Sequence, residues 1–193
     1  MSHAIRGFKC IAKDTTLFRK GEFNEEALLY GVLRGCSNVI HYNFKNNIDY
    51  LEIDNGYVER SNHPRGQFGG YYRISLNDTQ AHYKEVNLPS DRIKKLDVTL
   101  RDWQDNNEGI VLIVPPTLPF AIFYGIDVDD CIKTTIKKLN GRPHKVRFKT
   151  DLIPLKEDFK SAKCIITFNS NCALEAVILG VPAIVCSPHS VVR

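Results

Sequence analysis

Residues 161–187, SAKCIITFNSNCALEAVILGVPAIVCS, constrain this chain more than any other stretch. Cys164-Ile165-Ile166-Thr167-Phe168 is a short apolar run with β-branched residues, the pattern of a strand covered on both faces. Asn169, Ser170 and Asn171 follow, with side-chain oxygens able to accept the unpaired N–H groups of a helix's first turn. Ala173, Leu174, Ala176, Val177 and Leu179 carry a helix on, and Gly180 stops it. Pro182 cannot continue a helix, so 181–185 returns as a second strand. A strand that runs into a helix N-terminus is where open α/β sheets bind anions, because free amides and the helix dipole both point there.

The same alternation extends upstream. Ile110-Val111-Leu112-Ile113-Val114 is the clearest buried strand, and Pro115-Pro116 ends it in a loop. Residues 127–139 have an acidic start, a basic end and Gly141 beyond, which predicts a helix whose charges complement its dipole. Residues 145–149 alternate like a strand, and 155–162 read as a short helix. The order β–α–β–α–β–α–β predicts a parallel, Rossmann-like domain over 106–193.

Residues 1–105 are harder to organise. The spacing predicts a helix or turn near 21–30, capped by Asn24 and ending near Gly35, then a short strand over 38–42. Residues 48–54 alternate as a second strand, followed by an Asn55-Gly56 turn. SNHPRGQFGG (61–70) is a polar, glycine-rich loop, and 71–76 is a further strand ended by Asn77 and Asp78. Residues 88–109 are mostly polar and read as a connector with one short element around Trp103, which places a domain boundary there. These elements supply too few βαβ units for a full Rossmann domain, so 1–105 is expected to be an abbreviated α/β domain.

Composition excludes several functions. A formal charge of +4 over 193 residues suits an anionic ligand, but the scattered Lys and Arg make no stripe for nucleic acid. No apolar run approaches the ~20 residues that cross a bilayer, and residues 1–10 hold no apolar core of a secretory signal. The six cysteines form no CxxC pair and no zinc spacing, which suits a reducing cytoplasm without disulfides. Cys172 stands in the first helical turn, where the dipole could lower its pKa. Walker, GxGxxG and serine-hydrolase signatures are absent, so no cofactor is expected.

Ser170, Glu175 five residues on, and Gly180-Val181-Pro182 closing the unit resemble the donor site of GT-B nucleotide-sugar glycosyltransferases and related sugar epimerases. The segments at 30–35, 50–57 and 71–75 are similar to N-terminal blocks of small GT-B-like proteins from bacteria and their viruses. The resemblance implies two small Rossmann-like halves and sugar transfer from a nucleotide-diphosphate donor to an acceptor hydroxyl, a carbohydrate or a modified DNA base. Asn169, Ser170 and Asn171 would hold the diphosphate, Glu175 the ribose hydroxyls, and Arg147 and Lys149 the leaving charge. No Asp-x-Asp pair with apolar flanks occurs, so the transfer would need no metal; Asp127 and Asp129 are better read as helix capping. Family members continue past such a last strand with a further helix, so the resemblance also implies a C-terminal truncation or a sheet left uncovered on one side.

For the acceptor's proton, Asp54 at a strand end is the first candidate base and His63 in the next loop the second. Each residue also has a structural reading. Glu175 suits any early helical turn, Asp54 any Asx turn, His63 any polar loop, and Arg147 and Lys149 the solvent side of an edge strand. A degenerate GT-B-like module that binds a ligand or protein without turnover is the alternative to an enzyme.

Overall fold

A computed structural model of the chain describes residues 27–31, 36–58, 72–79, 94, 96 and 98–187. The chain divides into two units between Thr79 and Gln80, earlier than the 105/106 boundary read from composition.

The first unit carries a three-stranded sheet of order β1-β2-β3, with β1 at Ala27–Tyr30, β2 at Tyr50–Asn55 and β3 at Tyr72–Leu76. β1 and β2 are parallel, a pairing that needs a crossover, and helix α1 (Ser37–Asn46) supplies it. β3 runs antiparallel to β2. Two expectations are corrected here. Residues 27–30 form a strand, held by parallel pairing with Tyr50 through Ile53. Residues 38–42 belong to α1, whose buried Val39, Ile40 and Asn43 keep helical spacing. Asn47 ends α1 in the left-handed conformation, as asparagine tolerates.

The β2–β3 register sets Glu52 opposite Ser75 and Asp54 opposite Arg73. All four side chains therefore share one face of the sheet. Glu52, Arg73 and Ser75 are buried, whereas Leu51, Ile74 and Leu76 of the other face are exposed. The buried face thus mixes Glu52 and Arg73 with the apolar Ala27, Leu29 and Tyr50.

The second unit is built on a four-stranded parallel sheet of order β5-β4-β6-β7, so the chain is a mixed α/β protein. Its elements are β4 (Ile110–Val114), α2 (Leu118–Tyr124), α3 (Val128–Leu139), β5 (His144–Val146), α4 (Leu155–Phe159), β6 (Ala162–Thr167), α5 (Cys172–Ile178) and β7 (Ala183–Val185). Leu112 and Ile165 pack with Phe159 of α4 and Cys172 and Ala176 of α5. Val111 and Ile113 point the other way and pack with Ile136 and Leu139 of α3. Helices thus cover both faces, which is why these strands read as unbroken apolar runs. Asp127 caps α3, its Oδ1 accepting from the Asp130 amide at 2.9 Å.

Three boundaries differ from the sequence reading. Residues 118–124 form α2 instead of continuing the loop, because a proline in a helix's first turn is favourable. β5 stops at Val146, so Arg147 and Lys149 lie beyond the strand. Trp103 stands in no helix or strand; its segment caps α5 instead. The Arg101 and Gln104 amides donate to the carbonyls of Ile178 and Gly180 at 3.0 and 2.8 Å. Gly180 has φ +80°, and a Cβ there would stand 2.0 Å from the Asp102 carbonyl oxygen, so both backbone and packing require glycine.

Candidate functional site

The strand order locates the first candidate. After β4 the chain moves to one side, to β5, and then returns past β4 to β6 on the other. Connections leave in opposite directions at the β4/β6 pair, and open α/β sheets bind ligands beyond the carboxyl ends of such a pair. There lie Pro115, Pro116 and Thr117 after β4, and Phe168, Asn169, Ser170 and Asn171 after β6. The Thr167 hydroxyl donates to the Val114 carbonyl at 2.9 Å and ties the two strand ends together.

The turn into α5 is closed by Ser170. Its Oγ accepts from the Cys172 amide at 3.3 Å, and its carbonyl accepts from Ala173 at 3.1 Å. A hydroxyl that accepts this way still has its own proton to donate. Asn171 holds the cap position but its side chain makes no capping bond. The side-chain amide nitrogen of Asn169 is buried without a hydrogen-bond partner, so a donor stands unsatisfied at this edge. Glu175 is exposed on the first turn of α5. Burial pushes the Cys172 thiol up, against hydrogen bonds from Ser170 and Thr167, so the expected effect of the helix dipole does not prevail.

Arg147 and Lys149 follow the neighbouring strand and part company. Arg147 is buried, with Nε 2.8 Å from Asp158 Oδ2 and Nη1 3.0 Å from Asp151 Oδ2. The first contact is too bent to count as a hydrogen bond, but an attraction between full charges does not depend on that angle. Arg147 also donates to the carbonyls of Phe148, at 2.8 Å, and Ile153. Lys145 completes the cluster, 2.6 Å from Asp158 Oδ1. The Arg147 guanidinium is thus engaged within the protein, while Lys149 is exposed in the turn beyond. The hydrogen bond from Arg147 holds the Asp151 carboxyl below its usual range.

The second candidate lies in the first unit. Asp54 is part-exposed on β2, its Oδ1 accepting from the Asn55 amide at 2.7 Å and its Oδ2 3.5 Å from Arg73. Two residues earlier on the same face stands Glu52, which the sequence reading passed over. It is fully buried, 3.0 Å from Arg73, and its second oxygen has no hydrogen-bond partner. Burial, opposed by Arg73, raises its carboxyl from 4.5 to about 7. Arg73 also donates to Tyr57 Oη at 3.1 Å and to the Thr79 carbonyl at 2.7 Å, with its guanidinium carbon 5.3 Å from the centre of the Tyr57 ring. Tyr50 and Glu52 occupy the same phase of an alternating strand, which puts them on one face but does not say that a glutamate there is buried. His63 lies outside the described residues.

Among the described residues no cluster of three or more His, Cys, Asp or Glu side chains could hold a metal ion. The described cysteines, Cys36, Cys131, Cys164, Cys172 and Cys186, are all free thiols. No protein-family model, curated protein or solved structure matches the chain.

Proposed function

We propose that the second unit binds a nucleotide sugar at the carboxyl edge of its sheet and that the chain transfers the sugar to an acceptor hydroxyl. The observation that carries the reading is the reversal of connections at β4/β6, with Asn169, Ser170 and Asn171 leading out of it. The Ser170 hydroxyl proton and the unpartnered Asn169 amide are donors suited to diphosphate oxygens. Glu175, one turn into α5, has the two acceptor oxygens that a ribose diol requires. Lys149 adds positive charge beyond the neighbouring strand, while Arg147 shapes the loop instead of meeting the ligand. In this reading the fold is an abbreviated GT-B-like pair of Rossmann-like halves.

The acceptor's proton is assigned to the carboxylates of the first unit. Asp54 is the exposed one, and Glu52 is a neighbouring carboxyl whose proton comes off near neutral pH. Stabilising the departing diphosphate by fixed donors would supply most of the rate.

Calorimetry with nucleoside diphosphates and their sugars tests the donor site. Glu175→Ala is expected to weaken nucleotide-sugar binding at least tenfold; unchanged affinity would remove that role, and no binding by the parent chain would remove the reading. One observation favours a second reading, a module that binds without turnover. Arg147 is occupied by two carboxylates, so the leaving group loses an expected partner. Release of nucleoside diphosphate from a panel of donors decides between them, since a binding module would release none.

A further inference from the structure

We propose that the buried face of the first unit's sheet takes a primary ammonium group between Glu52 and Ser75, and that this unit therefore binds a small amine. The two residues lie directly opposite one another in the β2–β3 register, and both are buried, at 0% and 6% exposure. Opposed residues of such a pair have Cβ atoms about 5 Å apart, so one small group reaches both side chains. Yet Oε1 of Glu52 and Oγ of Ser75 each lack a hydrogen-bond partner, in one another or elsewhere. Buried oxygens in folded proteins are nearly always paired, so two open ones side by side point to a donor from outside the chain.

The neighbouring residues do not provide that donor. On β1 the register sets the apolar, buried Leu29 beside Glu52. Arg73 meets the other oxygen of Glu52 and is also held by Tyr57 Oη and the Thr79 carbonyl. Asp54 lies further along the same face with its side chain 41% exposed, so the face reaches solvent at that end.

Charge selects the ligand. The charged groups that act on Glu52 are Arg73, Asp54 and Asp78, so three carboxyls stand against one guanidinium. An anion would meet net repulsion here. A hydroxyl would bring one donor and no charge, whereas an ammonium brings three donors and the positive charge in deficit. Among the described residues no three His, Cys, Asp or Glu side chains gather to hold a metal ion, so the cation is one that hydrogen-bonds. The site stands whether or not the second unit holds a nucleotide sugar. In the transfer reading the amine would belong to the acceptor, held by Glu52 with Asp54 as the base.

An ammonium needs Glu52 ionised, while burial holds a proton on that carboxyl up to about pH 7. Binding below that pH must therefore expel the proton. Arg73, which also faces Glu52, keeps its charge throughout.

Calorimetric titration of the full chain with ethanolamine, and with ethylene glycol as its neutral counterpart, tests the proposal. Ethanolamine is expected to bind at least tenfold more tightly than the glycol, with affinity rising about tenfold from pH 5 to pH 6. At pH 6, buffers of different ionisation heat should report release of about one proton per ethanolamine bound. Glu52→Gln should abolish both binding and proton release. Ser75→Ala should weaken binding about tenfold, the effect of one hydrogen bond to a charged group, and leave the proton release in place. No binding of ethanolamine, equal binding of ethylene glycol, binding without proton release, or unchanged affinity in either variant would overturn the proposal. Binding of nucleoside diphosphates is measured separately, so loss of this site and loss of the donor site are told apart.

Discussion

Arg73 in the first unit and Arg147 in the second are both buried beside carboxylates, yet the carboxylates respond in opposite directions. Glu52 meets Arg73 through one oxygen, keeps the other unpaired, and has its carboxyl raised to about 7 by burial. Asp151 meets Arg147 at the protein's rim, accepts a backbone amide as well, and has its carboxyl lowered. The cation is the same. What differs is how much water the carboxylate gave up and how many donors replaced it. In the first unit desolvation exceeds the ion pair; in the second the hydrogen bonds exceed a small desolvation.

The largest test of that contrast removes each cation. Arg73→Met leaves Glu52 buried without its cation and is expected to cost about 3–5 kcal/mol in urea denaturation above neutral pH, where the carboxyl must either ionise alone or take up a proton. Adding Glu52→Gln should recover much of it, since the stranded charge is the source of the loss. If the double variant is as unstable as the single one, the pair matters for packing and not for charge.

The second test is pH. Between 4.5 and about 7 the folded chain holds a proton on Glu52 that the unfolded chain has released. Stability therefore falls as pH rises through that window, by roughly 3 kcal/mol in all. Glu52→Gln should flatten this arm of the profile. A parent profile already flat between pH 4.5 and 7 would show that Arg73 compensates the burial of Glu52 in full.

Arg147→Met should cost less, about 2 kcal/mol, chiefly from carbonyls of the 148–153 loop left without a donor. Asp158 keeps Lys145 at 2.6 Å, so no carboxylate is stranded as Glu52 would be. A loss equal to that of Arg73→Met would break the comparison.

These two sites also show what a linear reading can reach. The two-sided strands at Ile110–Val114 and Ala162–Thr167 were legible because an unbroken apolar run is itself the signal of a covered parallel sheet. The cap at Asp127 and the stop at Gly180 were legible because each acts on its own neighbours. Glu52 was not, since a glutamate is ordinarily exposed and its partner is found only through the β2–β3 register. Arg147 was expected among donor-binding residues from the GT-B resemblance alone, and its carboxylate Asp158, which lies across a loop and in α4, could not be paired with it from the sequence. The turn at 169–171 was marked from sequence, whereas its place beyond a reversal of connections depends on strand order, which chain order does not reveal. β1 was missed because Ala and Leu favour helices, and a parallel partner overrode that preference.

The smallest test completes the contrast at the acid end. Asp151 has its carboxyl lowered by Arg147, so the folded chain binds fewer protons there than the unfolded chain. Its contribution is present above its ordinary value of 3.8 and is lost as pH falls through the lowered one. The group stands at the solvent boundary, where water screens the pair, so the effect is modest. Asp151→Asn should leave stability near pH 7 slightly reduced and soften the acid arm, without touching the decline between pH 4.5 and 7 that belongs to Glu52. Should Asp151→Asn alter that decline, the two arginine sites would be coupled, and their opposite responses could no longer be traced to separate local environments.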